Sequence, residues 1–301
     1  MNPTSPPEHR VAIAGGIELA YDSFGDPNDE PLLLIMGLAS QMLVWDDGFC
    51  AALAARGFYV VRYDNRDVGR STVLTAAGIP DIGAMMKRAL AGEAVTAPYT
   101  LADMAGDGLA LLDALGIASA HIVGASMGGA IAQEIAISHP ARVRTLVSIM
   151  ASSGDPGLPP PKPEAMAMLF TPAPLEQDAY IERYRKVWKV LRVGAFPEDE
   201  AVDAARAARM HARGVHPAGT ARQLAAVLAS GSRKARLASL RTPTLVIHGD
   251  VDPLVPPEHG VDVANTVPGA KLEIMKGMGH ALPIAMWPRL VDAIATHARS
   301  A

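Results

Sequence analysis

Seven short apolar runs rich in β-formers recur along the chain, separated by longer stretches of helical periodicity, and this alternation most constrains what it can fold into. The runs are 17–24, 32–36, 58–63, 120–125, 143–150, 244–248 and 271–275, and the helix candidates 42–56, 101–115, 127–138, 258–267 and 281–299 lie between and after them. Strands that rejoin a sheet in the same direction need crossovers, and helices are the usual ones, so the pattern predicts an α/β chain: a mostly parallel central sheet flanked by helices. The rhythm breaks once. From 155 to 235 no strand-like run occurs, only a proline-rich approach (Pro156, Pro159, Pro160, Pro161, Pro163) followed by Arg- and Ala-rich helical stretches. This reads as a helical cap, 155–235, inserted into a core formed by 1–154 and 236–301, with the prolines as its hinge. A shorter helical stretch, 81–90, interrupts the region between 71 and 100.

The segment with the most chemical content is Val123-Gly124-Ala125-Ser126-Met127-Gly128-Gly129. It fits G-x-S-x-G where a strand ends and a helix begins, the context that turns a weak pattern into a specific one. A sharp turn there lifts the Ser126 hydroxyl to the carboxyl edge of the sheet, and the glycines let strand and helix close around it. The Met127 amide then points toward any negative charge developing on a bound carbonyl oxygen. A second such donor is expected from the loop after the 32–36 run, Ile35-Met36-Gly37-Leu38-Ala39-Ser40, with the Leu38 amide as the choice.

A serine hydroxyl is a poor nucleophile until a base removes its proton, so a histidine and an orienting carboxylate must follow. Both occur after late strands, in the chain order Ser, Asp, His: His248-Gly249-Asp250-Val251-Asp252-Pro253 and Gly277-Met278-Gly279-His280-Ala281. His280 is assigned as the base and Asp252, at the loop tip, as its orienter. Asp250 in the same turn is the competing acid, better suited to closing the turn on nearby amides, and Asp155 is a remoter one. Among nine histidines, His121 and His248 fall in strands and His139 at a helix end, while His9, His211, His216, His259 and His297 read as surface or terminal positions. No spacing forms a metal-ligand set, so neither a metal nor a cofactor is expected. The single cysteine, Cys50, lies in an apolar run and reads as a small core residue, with no disulfide available to it within the chain.

With 27 Lys+Arg against 31 Asp+Glu, the chain has no basic footprint for nucleic acid or an anionic membrane, and the partner expected is a small-molecule ester. The first eight residues show neither a basic nor an apolar export region, and no apolar run approaches the length of a membrane span. A soluble, cytoplasmic monomer or homodimer is the expectation.

Four segments together resemble the α/β-hydrolase superfamily: Leu34-Ile35-Met36-Gly37-Leu38, Arg62-Tyr63-Asp64-Asn65-Arg66-Asp67-Val68-Gly69-Arg70-Ser71, the Ser126 segment, and the paired Asp252 and His280 loops. The likeness covers most of the chain outside 155–235. Within the superfamily the chain is most similar to the bacterial esterase group that includes aclacinomycin methylesterase. Two positions depart from the family's usual pattern: Met36 stands where His-Gly is frequent, and Asp67 where a glycine is common. The Asp64 to Ser71 segment is expected to be a structural turn only, the alternative being that Arg66 braces the nucleophile loop from beneath.

The resemblance and the motifs together imply a carboxylesterase-type serine hydrolase that forms an acyl-enzyme on Ser126, with small to medium apolar esters as substrates and a methyl ester among the candidates. Lactonase, carbon–carbon hydrolase, thioesterase and perhydrolase activities use the same residues, and a non-catalytic receptor on this scaffold is the alternative of a different class. Met85, Met86, Met166, Met168, Leu169, Phe170 and Trp188 are candidate pocket residues, the 81–90 stretch being expected to help roof the site. From 181 to 241 the chain has 13 Lys+Arg against five Asp+Glu. Solvated helix faces are the expected reason, with an anionic substrate as the alternative that neutralising Arg183, Arg185 and Lys186 would test.

Overall fold

The structure is a computed structural model that describes residues 5–193, 196 and 200–300, so Met1 to Thr4 and a few positions of the expected cap lie outside it. Eight strands, β1 (His9–Ile13), β2 (Ile17–Phe24), β3 (Glu30–Ile35), β4 (Phe58–Tyr63), β5 (Ala120–Ala125), β6 (Val143–Ile149), β7 (Thr244–Gly249) and β8 (Lys271–Met275), make one sheet. Their order is β1-β2-β4-β3-β5-β6-β7-β8, with β1 and β2 antiparallel additions to a parallel remainder. The helices are α1 (Asp47–Ala54), α2 (Ile82–Leu90), α3 (Leu101–Ala114), α4 (Met127–Ser138), α5 (Pro163–Phe170), α6 (Gln177–Arg192), α7 (Glu200–Arg213), α8 (Pro217–Ser230), α9 (Lys234–Leu237), α10 (Pro257–Thr266) and α11 (Trp287–Arg299).

Leu32, Leu33, Leu34 and Ile35 are all fully buried, which explains why this stretch reads as a continuous apolar run: both faces of the strand are covered. Leu33 and Ile35 join Met104, Ile131 and Val263 in one core, while Leu32 and Leu34 join Phe49, Leu53 and Ile294 in the other. Crossover handedness fixes which helix lies where. The β3-to-β4 connection runs one way along the sheet and the later connections run the other way, so α1 covers the face opposite α3, α4 and α10. The reversal places the ends of β3 and β5 side by side, the crevice where parallel sheets bind ligands.

Between β6 and β7 the chain supplies α5 to α9, the helical stretch expected there. Its two ends are tied together: the Arg233 amide donates to the Ser153 carbonyl (2.7 Å), and Lys234 pairs with Asp155 (2.6 Å). The basic excess of 181–241 is divided: Lys186, Lys189 and Arg241 are exposed on solvated faces as expected, while four arginines of α7 and α8 have another role. Arg206 meets Asp46 (2.6 Å), Arg209 meets Asp47 (3.2 Å), Arg213 meets Asp64 and Glu8, and Arg222 meets Asp67 (2.6 Å), so these arginines clasp α7 and α8 to carboxylates outside the insertion.

Three local expectations shift. β1 has no apolar run because it is a half-exposed edge strand, and pairing with β2 defines it. Residues 42–56 divide into a 3-10 turn (Met42–Val44) and α1, whose Asp46 caps it by accepting from the Gly48 amide (2.9 Å). The last helix starts at Trp287 rather than 281, because 281–286, with Pro283, remains in the loop that carries His280. Cys50 is buried in the core as expected, and burial pushes its thiol up to about 12. No helix among the described residues is long and apolar enough to cross a membrane.

His297, expected at the surface or as a terminal position, lies near the end of the chain and is buried, as is His248. Each donates from Nε2 to a carbonyl, His297 to Pro243 (3.2 Å) and His248 to Val255 (2.8 Å), and among the described residues the buried Nδ1 of each has no hydrogen-bond partner. Burial lowers both pKa values, because a charged ring would lose its hydration there, and for His248 this outweighs the nearby Asp252 carboxylate. In water the rings return to their ordinary value of 6.5, so the unfolded chain binds up to two more protons once pH falls below it. Stability from the neutral rings is thus fully present above that value and lost as pH falls toward the lowered folded ones. Calorimetric melting temperatures should begin to decline below about pH 6.5; a profile flat to about pH 5 would contradict the neutral burial of both rings.

Candidate active site

Ser126 joins β5 to α4 in a backbone conformation (φ 57°, ψ −123°) that L-residues rarely adopt. Strain of this kind costs on the order of 1–3 kcal/mol and persists where surrounding packing enforces it. Here the enforcement comes from glycines. A Cβ on Gly124 would lie 2.1 Å from the Gly128 carbonyl oxygen, and one on Gly128 would lie 2.1 Å from the Ile35 carbonyl oxygen. The turn is therefore pressed against the ends of both β5 and β3. Gly37, just beyond β3, sits where its own Cβ would be 3.0 Å from that of Ser126.

His280 Nε2 lies 2.8 Å from Ser126 Oγ, and His280 Nδ1 lies 2.7 Å from Asp252 Oδ2. An ionised Asp252 can only accept, so the network assigns the proton to Nδ1 and leaves Nε2 to accept from the serine hydroxyl. Asp252 is buried, which alone would raise its pKa, but the His280 charge and hydrogen bond and the Val255 amide outweigh this and hold it below the usual carboxylate range. Its Oδ1 accepts from the amides of Leu254 (2.9 Å) and Val255 (2.8 Å), fixing the carboxylate in its loop. Chemically, the arrangement can move the serine proton onto a histidine whose positive charge is met by a buried carboxylate.

The competing acids are engaged elsewhere. Asp250 accepts from the Gly277 amide (2.6 Å), tying the β7 loop to the β8 loop, and Asp155 pairs with Lys234. The Leu38 side of the β3 loop borders the same cavity as Ser126 and His280, and Met127 is the first residue of α4, where helix geometry leaves the leading amides without intrahelical acceptors. Arg66 does not reach the serine turn. Its guanidinium forms a two-point pair with Asp107 on α3 (2.6 Å each) and stacks on Tyr99, so it braces the β4 loop instead.

The cavity above Ser126 has a volume of about 200 Å³ and is roofed by α5, α6 and α7. Met168, Leu169 and Trp188 line it as the sequence indicates, but Met85 borders a separate surface depression and α2 packs beside α8 rather than over the serine. Tyr180, Tyr184, Val187 and Leu191 also line the cavity. Their signal was present in the helical spacing of Tyr180, Tyr184 and Trp188, an apolar stripe that composition alone does not distinguish from helix core. Of the three cations singled out above, only Arg183 borders the cavity, where it donates to the Met168 (2.9 Å) and Thr171 carbonyls; Arg185 and Lys186 pair with Glu182.

Comparison with known proteins finds relatives over nearly the whole chain. The family model of the alpha/beta hydrolase fold matches residues 30–284. Rhodomycin D methylesterase DnrP of Streptomyces peucetius is 34% identical over 97% of this chain and 98% of its own length. A 2-hydroxy-6-oxononadienedioate/2-hydroxy-6-oxononatrienedioate hydrolase of Burkholderia vietnamiensis is 30% identical over 89% of this chain and 87% of its own. Among solved structures, a hydrolase from Pseudomonas aeruginosa PA01 has a TM-score of 0.71 at 26% identity, covering 98% of both chains.

Proposed function

The chain belongs to the α/β-hydrolase family, and from that premise we propose that it hydrolyses carboxylic esters through Ser126, His280 and Asp252, with methyl esters of apolar acids as the favoured class. The observation that carries the reading is the unbroken run from Ser126 Oγ to His280 (2.8 Å) to Asp252 (2.7 Å) at the floor of a mostly apolar cavity. The methyl preference draws on the full-length similarity to a methylesterase. Residues 155–235 act as the cap over a core of 1–154 and 236–301, and no metal or cofactor takes part.

In this mechanism His280 Nε2 removes the hydroxyl proton as Ser126 Oγ attacks the ester carbonyl. The Leu38 and Met127 amides hold the resulting oxyanion, and the amino end of α4 adds its dipole. Each such donor accounts for about 10²–10³ in kcat. His280 then protonates the departing alkoxide, the alcohol leaves, and a water activated by the same nitrogen releases the acid from the acyl-enzyme. Asp252 keeps Nδ1 protonated and stabilises the imidazolium formed in each half of the reaction.

The test is hydrolysis of 4-nitrophenyl acetate, butyrate, octanoate and laurate and of apolar methyl esters, alongside labelling by a fluorophosphonate. Turnover with stoichiometric labelling of Ser126 is expected. A protein that neither turns over any of these esters nor takes the label would overturn the reading and revive the receptor alternative.

A further inference from the structure

We propose that Gln223, on α8 of the insertion, is a positioning residue for the oxyanion loop, so that the Leu38 amide is correctly presented only while the insertion is docked. The inference rests on the ester-hydrolase reading above, which gives Leu38 its role. Residue Ala39, immediately after Leu38, sits in the left-handed region (φ 57°) although it is not glycine, so something outside the residue must hold it there. Two local bonds tighten the turn: the Ser40 amide donates to Gly37 O (3.3 Å) and the Ser40 hydroxyl to Leu38 O (3.2 Å). The decisive bond comes from 184 residues away, where Gln223 Oε1 accepts from the Ala39 amide at 2.9 Å.

Gln223 is fully buried, and its other end is also committed, Nε2 donating to the Arg66 carbonyl at 2.8 Å. With a carbonyl facing one end and an N–H facing the other, the orientation of the amide is determined by its partners. The far side of the loop is held from the insertion as well. Gln41 Nε2 donates to the carbonyls of Met210 (2.8 Å) and Gly214 (2.9 Å), and Gln41 Oε1 accepts from Arg213 Nε (2.9 Å). Among the described residues, the hydrogen bonds from the rest of the fold reach the loop's ends, through Asn65 Nδ2 to Met36 O (2.9 Å) and the Met42 amide to Asp64 Oδ1 (2.7 Å), while Gly37 and Leu38 are held there by packing alone. Met36 has no side-chain N–H to brace the turn from within. The long-range hydrogen bonds that orient the middle of the loop, where the oxyanion amide lies, therefore come from α7 and α8.

The experiment compares wild type with Gln223→Met, which keeps the volume but loses both hydrogen bonds, and Gln223→Glu, which keeps an oxygen for the Ala39 amide. Three readouts are kcat, KM and inhibition by phenylboronic acid, whose tetrahedral adduct on Ser126 places an oxygen where the oxyanion forms. Gln223→Met should lower kcat about 10- to 100-fold with KM changed no more than about twofold, and weaken boronate inhibition by a similar factor. Gln223→Glu should recover part of both losses. A residue that only stabilises the fold would lower the melting temperature and leave the kcat and boronate affinity of the folded enzyme unchanged, which would overturn the proposal. If Gln223→Met does not fold, Gln223→Asn, too short to span both partners, should show the same paired loss. Wild type that hydrolyses esters while these variants keep wild-type kcat refutes the role of Gln223 alone; wild type that neither hydrolyses esters nor takes a fluorophosphonate refutes the underlying reading too.

Discussion

Replacing Ser126 by alanine is expected to lower kcat for ester hydrolysis by about 10⁴- to 10⁶-fold, with the fold intact. Only Oγ is removed, and alanine at φ 57° meets the same backbone cost that serine already bears, so no new strain is introduced. Unfolding stability should stay within about 1 kcal/mol of wild type. The residual rate would report what the Leu38 and Met127 amides and substrate binding achieve without a nucleophile. Asp252→Asn should be nearly as severe, about 10⁴-fold, because an amide beside His280 Nδ1 favours the wrong tautomer. Steady-state kinetics on purified variants decides the matter: a Ser126→Ala enzyme retaining more than about a tenth of wild-type kcat would exclude the acyl-serine route.

Arg222→Met should be strongly destabilising although it lies outside the serine site. Asp67 and Arg222 are both essentially solvent-free and form a two-point pair (2.8 and 2.6 Å), while Asp67 also accepts from the Tyr99 hydroxyl (2.7 Å) and the Leu74 amide (2.8 Å). Removing the guanidinium leaves a buried carboxylate without its counter-charge, at a cost of about 3–5 kcal/mol in denaturant unfolding. The pair itself contributes far less than that, since its desolvation offsets most of its attraction. Adding Asp67→Gly should therefore recover part of the loss, helped by the ease with which glycine adopts φ 70° at this position. A single variant costing under about 1 kcal/mol would mean that water or another cation reaches Asp67.

This pair also shows where reading the chain as a sequence stops. Asp67 was visible as an unusual residue in a glycine position, and Arg222 as one of many cations in a helical stretch, but nothing local links them across 155 residues. The same holds for Gln223 and Ala39. Arg66 shares a motif with Asp64 and Asn65, and nothing in that motif says that its side chain leaves the loop for Asp107 on α3. Hydrogen bonds between distant segments depend on which faces the helices bury, and periodicity specifies a face without naming its neighbour.

What the sequence determined by itself were features governed by local stereochemistry. Periodicity of apolar residues defined seven strands and the helices between them, since each element must bury its own face. Glycine spacing defined the Ser126 turn, because a Cβ at Gly124 or Gly128 would collide with backbone 2.1 Å away. The order of strands, loops and the residues at their tips then sufficed to nominate Asp252 and His280. The folded chain was needed to show that Arg206, Arg213 and Arg222 turn to carboxylates outside the insertion and that α2 packs beside α8 and takes no part in roofing the cavity. Those outcomes are set by the sheet reversal at β3 and β5 and by how the insertion docks over it, where many weak long-range contacts act together and no single segment of the chain contains the answer.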